Sequence, residues 1–497
     1  MPSEQTSETQ NAEEPALTSP QPARLASNSA WTLVAQALAI AVNAVVSIMA
    51  IRLVATDAWG NYQTALSMIM LATFVADLGV ATHTLREMSL AASSERPRLL
   101  GLGLSAIAQL GAVAAGATVL ALGLGWNAQV AGLVLLALPL LFLTPALNLL
   151  SVPFNAARLM RYSATITVVQ AVVLGVLQIT GLLVFRATWV LVVATVLAAA
   201  IAAGVALHLL VRHLRLTPRR PESASAARRI VRSAVSLTLI GAIGTVYARL
   251  DILLLAQLAS PSEVARYSVP FSIIQLAYMV PSLVGAAFFP LLAELLRTDP
   301  QDARSSMFRL QRLYFAMSVP AAFLLGEGAA AWLPAVFGPR YTNSVAVAEI
   351  LAWTLVLTFQ TYVLWYAVLA TRRERGLISL LVVALIANLG LNLVLIPGLG
   401  AIGAAIALLV TDTLVIVGEI VYVSRRVVRL PISELGIKPV AAAAPAVCVM
   451  LLLRDVSPFG AALAASAAYL GGLGLSGYIR AEDLEPLIEP VSKFLRR

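Results

Sequence analysis

The chain reads as an all-α integral membrane protein of about fourteen transmembrane helices: two six-helix lobes plus two C-terminal helices. Three observations predict this. Of 497 residues, 60% are hydrophobic and 12% charged, roughly half the charge share of a soluble chain. The apolar residues fall in blocks of about 20, enough to span a bilayer at 1.5 Å rise per residue. The basic residues concentrate in every second segment between blocks.

The blocks lie at about 30–53, 63–84, 99–123, 129–152, 164–185, 188–211, 233–258, 268–293, 313–335, 344–369, 377–396, 402–423, 438–453 and 460–478. The tightest breaks are Arg186-Ala187-Thr188 and the hairpin tip Pro397-Gly398-Leu399-Gly400, where Pro and Gly stop helices. With a cytoplasmic N-terminus, 28 of the 34 Lys and Arg occupy inner segments. Five (Arg52, Arg186, Arg266, Arg340, Arg454) lie outside or near the outer boundary, and Arg249 is inside a span. That asymmetry puts both termini in the cytoplasm of a multi-pass protein of the inner (cytoplasmic) membrane. The net charge of +9 then reflects arginines facing anionic lipid headgroups rather than nucleic acid.

Residues 1–28 are polar, lack the charged and apolar regions of a signal peptide, and read as a disordered cytoplasmic tail. Residues 29–211 form the N-terminal lobe. Segment 212–232, with Pro218, Pro221 and seven Arg, is a cytoplasmic linker ending in a surface helix around Ala226–Arg232. Residues 233–430 form the C-terminal lobe, 431–478 two additional helices, and 479–497 an amphipathic tail. Trp59-Gly60-Asn61-Tyr62 opens the second span and Val264-Ala265-Arg266-Tyr267 the eighth, with the tyrosines 205 residues apart. This echo supports a six-plus-six repeat.

Soluble-enzyme chemistry finds no footing. The GxGxxG matches at Gly398–Gly403 and Gly472–Gly477 sit in a hairpin tip and a span, not between a strand and a soluble helix. No phosphate-binding loop, zinc-helix motif, paired cysteines or nucleophile elbow occurs. His83, His208 and His213 are scattered, and Cys448 stands alone in an apolar run. No cofactor is expected.

Charges inside spans cost at least about 2.5–3.5 kcal/mol, so they turn to a bundle interior or a cavity. They are Asp77, Arg249, Asp251, Glu327, Glu349, Asp412 and Glu419. Arg249, Asp251, Glu327 and Glu349 share the outer half. Asp412 is near mid-depth, and Glu419 is close enough to the inner end to reach water. Arg249 and Asp251 are two apart and point to different sides. One arrangement bonds Asp251 inside its own lobe and leaves Arg249 to a central cavity, where a guanidinium grips phosphate bidentately. Gln36 and Asn43 share a face of the first span, Gln170 and Gln178 of the fifth, Asn388 and Asn392 of the eleventh. The expected substrate-binding set is Arg249, Asn43, Gln36, Arg52 and Gln170. Asp251, Glu327, Glu349 and Asp77 are ion-coupling or structural candidates. Proton or sodium coupling requires a carboxylate that titrates in the cavity.

Several stretches resemble the multidrug/oligosaccharidyl-lipid/polysaccharide (MOP) exporter superfamily, and within it the polysaccharide-biosynthesis, O-antigen-type oligosaccharide flippase branch. They are Tyr247-Ala-Arg249-Leu-Asp251 with Val264-Ala265-Arg266-Tyr267, where Ala265 replaces the family's glycine. A second is Asn388 to Asn392, Pro397, Gly400 and Gly403, and a third Trp59 to Tyr62 with Asp77-Leu78-Gly79. The resemblance implies two V-shaped lobes as in multidrug exporters, alternating access, and a polyprenyl-diphosphate-linked glycan as substrate. The expected function is flipping that lipid-linked oligosaccharide for cell-surface polysaccharide export, with membrane lipids and glycan polymerases or transferases as partners, by a monomeric transporter rather than an enzyme. A cation-coupled multidrug or small-molecule antiporter is the alternative, for which twelve spans would suffice. A lipid II flippase would want more cavity arginines, and a membrane transferase a large outer loop.

Overall fold

The computed structural model describes residues 22–219, 224–371, 375–429 and 432–478, without the side chains of 22–34, 224–240, 287, 375 and 432–436. The amphipathic tail at 479–497 and most of the tail at 1–28 lie outside the described residues. The N-terminal lobe comprises α1 (Pro22–Leu53), α2 (Thr56–Asp77), α3 (Val80–Leu90), α4 (Arg96–Leu122), α5 (Ala128–Ala137), α6 (Leu140–Ala156), α7 (Met160–Phe185) and α8 (Trp189–Leu214). The C-terminal lobe comprises α9 (Ala224–Leu258), α10 (Pro261–Ala277), α11 (Met279–Thr298), α12 (Pro300–Ala322) and α13 (Ala329–Phe337). It continues with α14 (Val345–Ala352), α15 (Thr354–Ala370), α16 (Arg375–Leu399) and α17 (Ala401–Arg426). Helices α18 (Ile432–Leu453) and α19 (Pro458–Leu475) follow.

Among the described residues, twelve helices or helix pairs are long and apolar enough to cross a membrane. The α12–α13 run, bent by 65°, makes a thirteenth, and the shorter apolar stretch Ile437–Leu453 accompanies α19. The chain is a multi-pass membrane protein of about fourteen helices, as its apolar blocks predict. Two boundaries move. Helix α1 begins at Pro22, so 22–28, expected in the tail, are helical. The segment Ala226–Arg232, expected as a separate surface helix, is the start of the 35-residue α9.

The repeat is visible in the element boundaries. α1 ends at Leu53 and α9 at Leu258; α2 begins at Thr56 and α10 at Pro261. All are 205 apart. The second and fourth spans of both lobes are broken. The second breaks at Leu78-Gly79, both left-handed (φ 36 and 73), and its counterpart at Tyr278. Pro281 has no N–H for the Ala277 carbonyl, so α10 stops there. The fourth spans break around Leu138-Pro139 and at Trp353.

Within the N-terminal lobe α1 packs on α7, α7 on α8, and α2 on α4, α5 and α6. In the C-terminal lobe α16 packs on α17 and α9, and α15 on α12 and α17. Small residues allow close approach, the main source of helix association in lipid: a methyl added to Gly175 would meet Val42 at 2.5 Å. α18 and α19 pack on each other and against α12 and α13, outside the repeat.

Candidate functional site

The lobes meet along α2, which packs against α9 and α10. The face bearing the α1–α2 and α9–α10 turns is termed outer, after the charge asymmetry. Here the lobes are shut. A methyl on Gly60 of α2 would lie 1.8 Å from the Pro261 carbonyl oxygen of α10, so only glycine permits this approach. Trp59, Val46 and Ile51 of one lobe pack with Ala265, Val269, Phe337 and Tyr341 of the other. Two arginines clasp this plug reciprocally. Arg52 donates to the carbonyls of Val336 (2.6 Å) and Ala335, ending α13. Arg340 donates to those of Val54 (2.8 Å), Ile51 (3.0 Å) and Arg52, ending α1. Each cation sits on the negative end of the opposite lobe's helix. Arg52, expected in the cavity, is therefore held at the outer seal in this conformation.

Inward of the plug, a cavity of about 250 Å³ opens between α1 and α10, with Asn43, Ser47 and Ser272 in an otherwise apolar lining. Asn43, Gln36 and Gln170 make no hydrogen bond among the described residues. Gln178, by contrast, donates to the Leu191 carbonyl (3.2 Å) and Thr195 (3.3 Å), tying α7 to α8.

Arg249 is half-buried on α9 and has no hydrogen bond or ion pair among the described residues. Leu253, one turn on, packs into an N-terminal-lobe cluster with Ala65, Ile69 and Leu133. Gly241, two turns before, faces Phe74 of α2. Arg249 thus belongs to the stripe of α9 turned toward the other lobe.

Asp251 turns the other way and is 4% exposed. It accepts from the Tyr267 hydroxyl (2.8 Å) and the Asn392 amide (2.8 Å). That amide also contacts Asn388 (3.0 Å), whose own amide donates to Thr411 (3.2 Å). Tyr247 lies 2.9 Å from Thr411 and 2.8 Å from Asp412. Five helices, α9, α10, α16, α17 and through them α15, thereby enclose one polar core. No ion pair reaches its carboxylates among the described residues, and Arg249 acts electrostatically on Tyr267.

The remaining carboxylates separate. Glu327 ends a π-helical turn, Phe323–Glu327, beside the 65° bend. Glu349 packs against the same turn, its Cα 3.4 Å from where a Gly326 methyl would stand. Arg454, between α18 and α19, acts on both electrostatically. Neither has a hydrogen bond or ion pair to Arg249 or Asp251 among the described residues. Asp77 accepts from the Ala81 amide at 3.4 Å and caps α3. Glu419, expected to reach water, is 2% exposed, because α15 covers that face of α17. Tyr267, whose sequence position suggests an interface residue, is buried as a partner of Asp251. Its spacing 16 residues after Asp251, across a tight turn, is the only sequence signal for that pairing.

Solved structures share this fold. The lipid II flippase MurJ in an inward closed conformation superposes with TM-score 0.71 at 9% identity, covering 93% of this chain and 100% of that one. An inward-facing multidrug resistance MATE family transporter of the MOP superfamily gives 0.65 at 13% identity, over 78% and 94%. An outward-facing MATE structure gives 0.57 at 13% identity, over 80% and 95%. By sequence, 241 residues are 27% identical to "Probable flippase AglR" of Haloferax volcanii, covering 47% of this chain. The match spans about half (50%) of that relative's length. The family model described as "Polysaccharide biosynthesis protein" matches residues 25–296, more than half of the chain. The chain belongs to the polysaccharide biosynthesis protein family.

Proposed function

We propose that this protein is a flippase: it moves a polyprenyl-diphosphate-linked oligosaccharide across the cytoplasmic membrane by alternating access of its lobes, for cell-surface polysaccharide export. The observation that carries the reading is Arg249, a guanidinium within a span, unpaired among the described residues and on the stripe turned to the opposite lobe. Such a group costs several kcal/mol at mid-membrane unless something compensates it. A diphosphate does so with paired charge-assisted hydrogen bonds. Asn43, Gln36 and Gln170 supply neutral donors and acceptors for sugar hydroxyls. Arg52 joins them once the outer clasp opens. The prenyl chain stays in lipid, so only the head group crosses. Family membership and the flippase relative support the same substrate class.

Coupling to protons or sodium falls to Asp251, a carboxylate ringed by neutral donors inside one lobe. Glu327 and Glu349, beside Arg454, and Asp77, a helix cap, serve the structure in this reading. The protein acts as a monomeric transporter, not an enzyme, with both termini cytoplasmic, and hands its cargo to glycan polymerases or transferases.

The test is mass spectrometry of lipid-linked intermediates in cells whose only copy is Arg249→Ala, alongside a surface-glycan assay. Accumulation of a prenyl-diphosphate glycan with loss of surface glycan, at wild-type protein level, is the expected result. Unchanged intermediates with altered drug or cation sensitivity would replace the flippase by the antiporter.

A further inference from the structure

The polar core does not stop at mid-membrane. Helix α17 runs from the outer to the inner face and carries Asp412 and Glu419 seven residues apart, on one side and about 10 Å apart along the axis at 1.5 Å per residue. Glu419 lies seven residues from the inner end of α17 at Arg426. Its side chain is buried, and its Oε2 has no hydrogen-bond partner among the described residues. The groups facing it are the Thr361 hydroxyl of α15 and Asp412 of its own helix. Asp412 in turn faces Tyr247 of α9, Asp251 and Tyr278. None of the ion pairs among the described residues reaches any of these carboxylates. A buried carboxylate with a bare oxygen and no cation is tolerated only as the neutral acid.

We propose that Glu419 and Asp412 form a proton path inside the C-terminal lobe, leading from its inner end to the hydrogen-bonded core around Asp251. This rests on the flippase reading and names how its coupling group communicates with the cytoplasmic side. Glu419 carries the proton on its unpartnered oxygen. The O–H bond there breaks, water carries the proton along the shared face, an O–H bond forms on the ionised Asp412, and a proton from the inner side restores the O–H bond on Glu419. Tyr247 reads the result, because its hydroxyl has one hydrogen and two acceptors. Opposite an ionised Asp412 the hydrogen points to the carboxylate. Opposite the acid it is released to Thr411, the acceptor of the Asn388 amide. The Asn388–Asn392 pair then re-registers on Asp251, 2.8 Å from Asn392. The amides relay a hydrogen-bond change, not a proton.

Two measurements on the full-length chain test this. In proteoliposomes, with a fluorescent short-chain polyprenyl-diphosphate disaccharide as probe, Glu419→Gln is expected to abolish stimulation by a proton gradient while leaving gradient-free exchange at the wild-type rate. Wild-type stimulation in Glu419→Gln, or a wild type driven by sodium alone, overturns the path. In detergent, infrared spectroscopy is expected to show a protonated-carboxyl band that Glu419→Gln removes and Thr361→Val shifts. Should the Gln variant not fold, the Thr361→Val shift decides. A spectrum in which the protonated bands are unchanged in the folded variants overturns the proposal without reference to transport. A wild type that moves no probe under any gradient instead refutes the flippase reading, and the infrared result still judges the path.

Discussion

The two lobes place the same backbone around different interiors. Shifted by 205 residues, Tyr62 becomes Tyr267, Val46 becomes Asp251 and Ala44 becomes Arg249. In the N-terminal lobe Val46 is buried in the apolar plug, and Tyr62 stacks on Trp59 at 5.3 Å without a hydrogen bond among the described residues. In the C-terminal lobe the equivalent tyrosine bonds the equivalent position's carboxylate at 2.8 Å. One repeat unit is thus a packing scaffold with Asn43 at its cavity edge. The other holds three buried or half-buried carboxylates on α9 and α17. A duplicated fold keeps its helix boundaries because they are set by turns and lipid thickness. It diverges at interior positions, where one side chain changes the chemistry.

The contrast can be broken experimentally, most sharply by Val46→Asp. It installs the carboxylate without Asn392's counterpart, and a loss of about 2.5–3.5 kcal/mol is expected, read as a fall in thermal midpoint in detergent. A variant as stable as wild type would mean that the N-terminal lobe can also satisfy an acid there. Tyr267→Phe removes one interhelical hydrogen bond and should cost about 0.6–1.7 kcal/mol by denaturant titration; no loss would mean that Asp251 is held by Asn392 alone. Tyr62→Phe, at the equivalent site, should stay within about 0.5 kcal/mol. Equal effects of the two tyrosine variants would erase the proposed asymmetry.

Much of the fold was legible in the chain because lipid imposes a length and charge code. Apolar blocks marked the spans, and the paired tyrosines fall in helices whose starts are 205 residues apart. The breaks within spans were less visible. Leu78-Gly79 and Tyr278 interrupt apolar runs whose composition does not change, and the deciding event is a left-handed residue or a proline three positions on. The site was legible as a set of residue types, since any charge inside a span stands out. Its pairings were not. Which face of α17 lies under α15, and so whether Glu419 meets water, depends on helix rotation that a single sequence does not encode. Arg52 likewise found its acceptors 283 and 284 residues away.

Those acceptors are main-chain oxygens, as are Arg340's. The clasp around the plug therefore needs two arginines and two helix ends, and no polar side chain on the facing lobe. The carbonyls of residues 335, 336, 51, 52 and 54 accept these hydrogen bonds whatever side chain each residue carries, although Ile51 and Val54 also fill the plug. Among the described residues no carboxylate takes part in these hydrogen bonds, so acid on that face has no partner in the clasp to protonate. A latch built this way rests on main-chain geometry and holds while the ends of α1 and α13 keep their places.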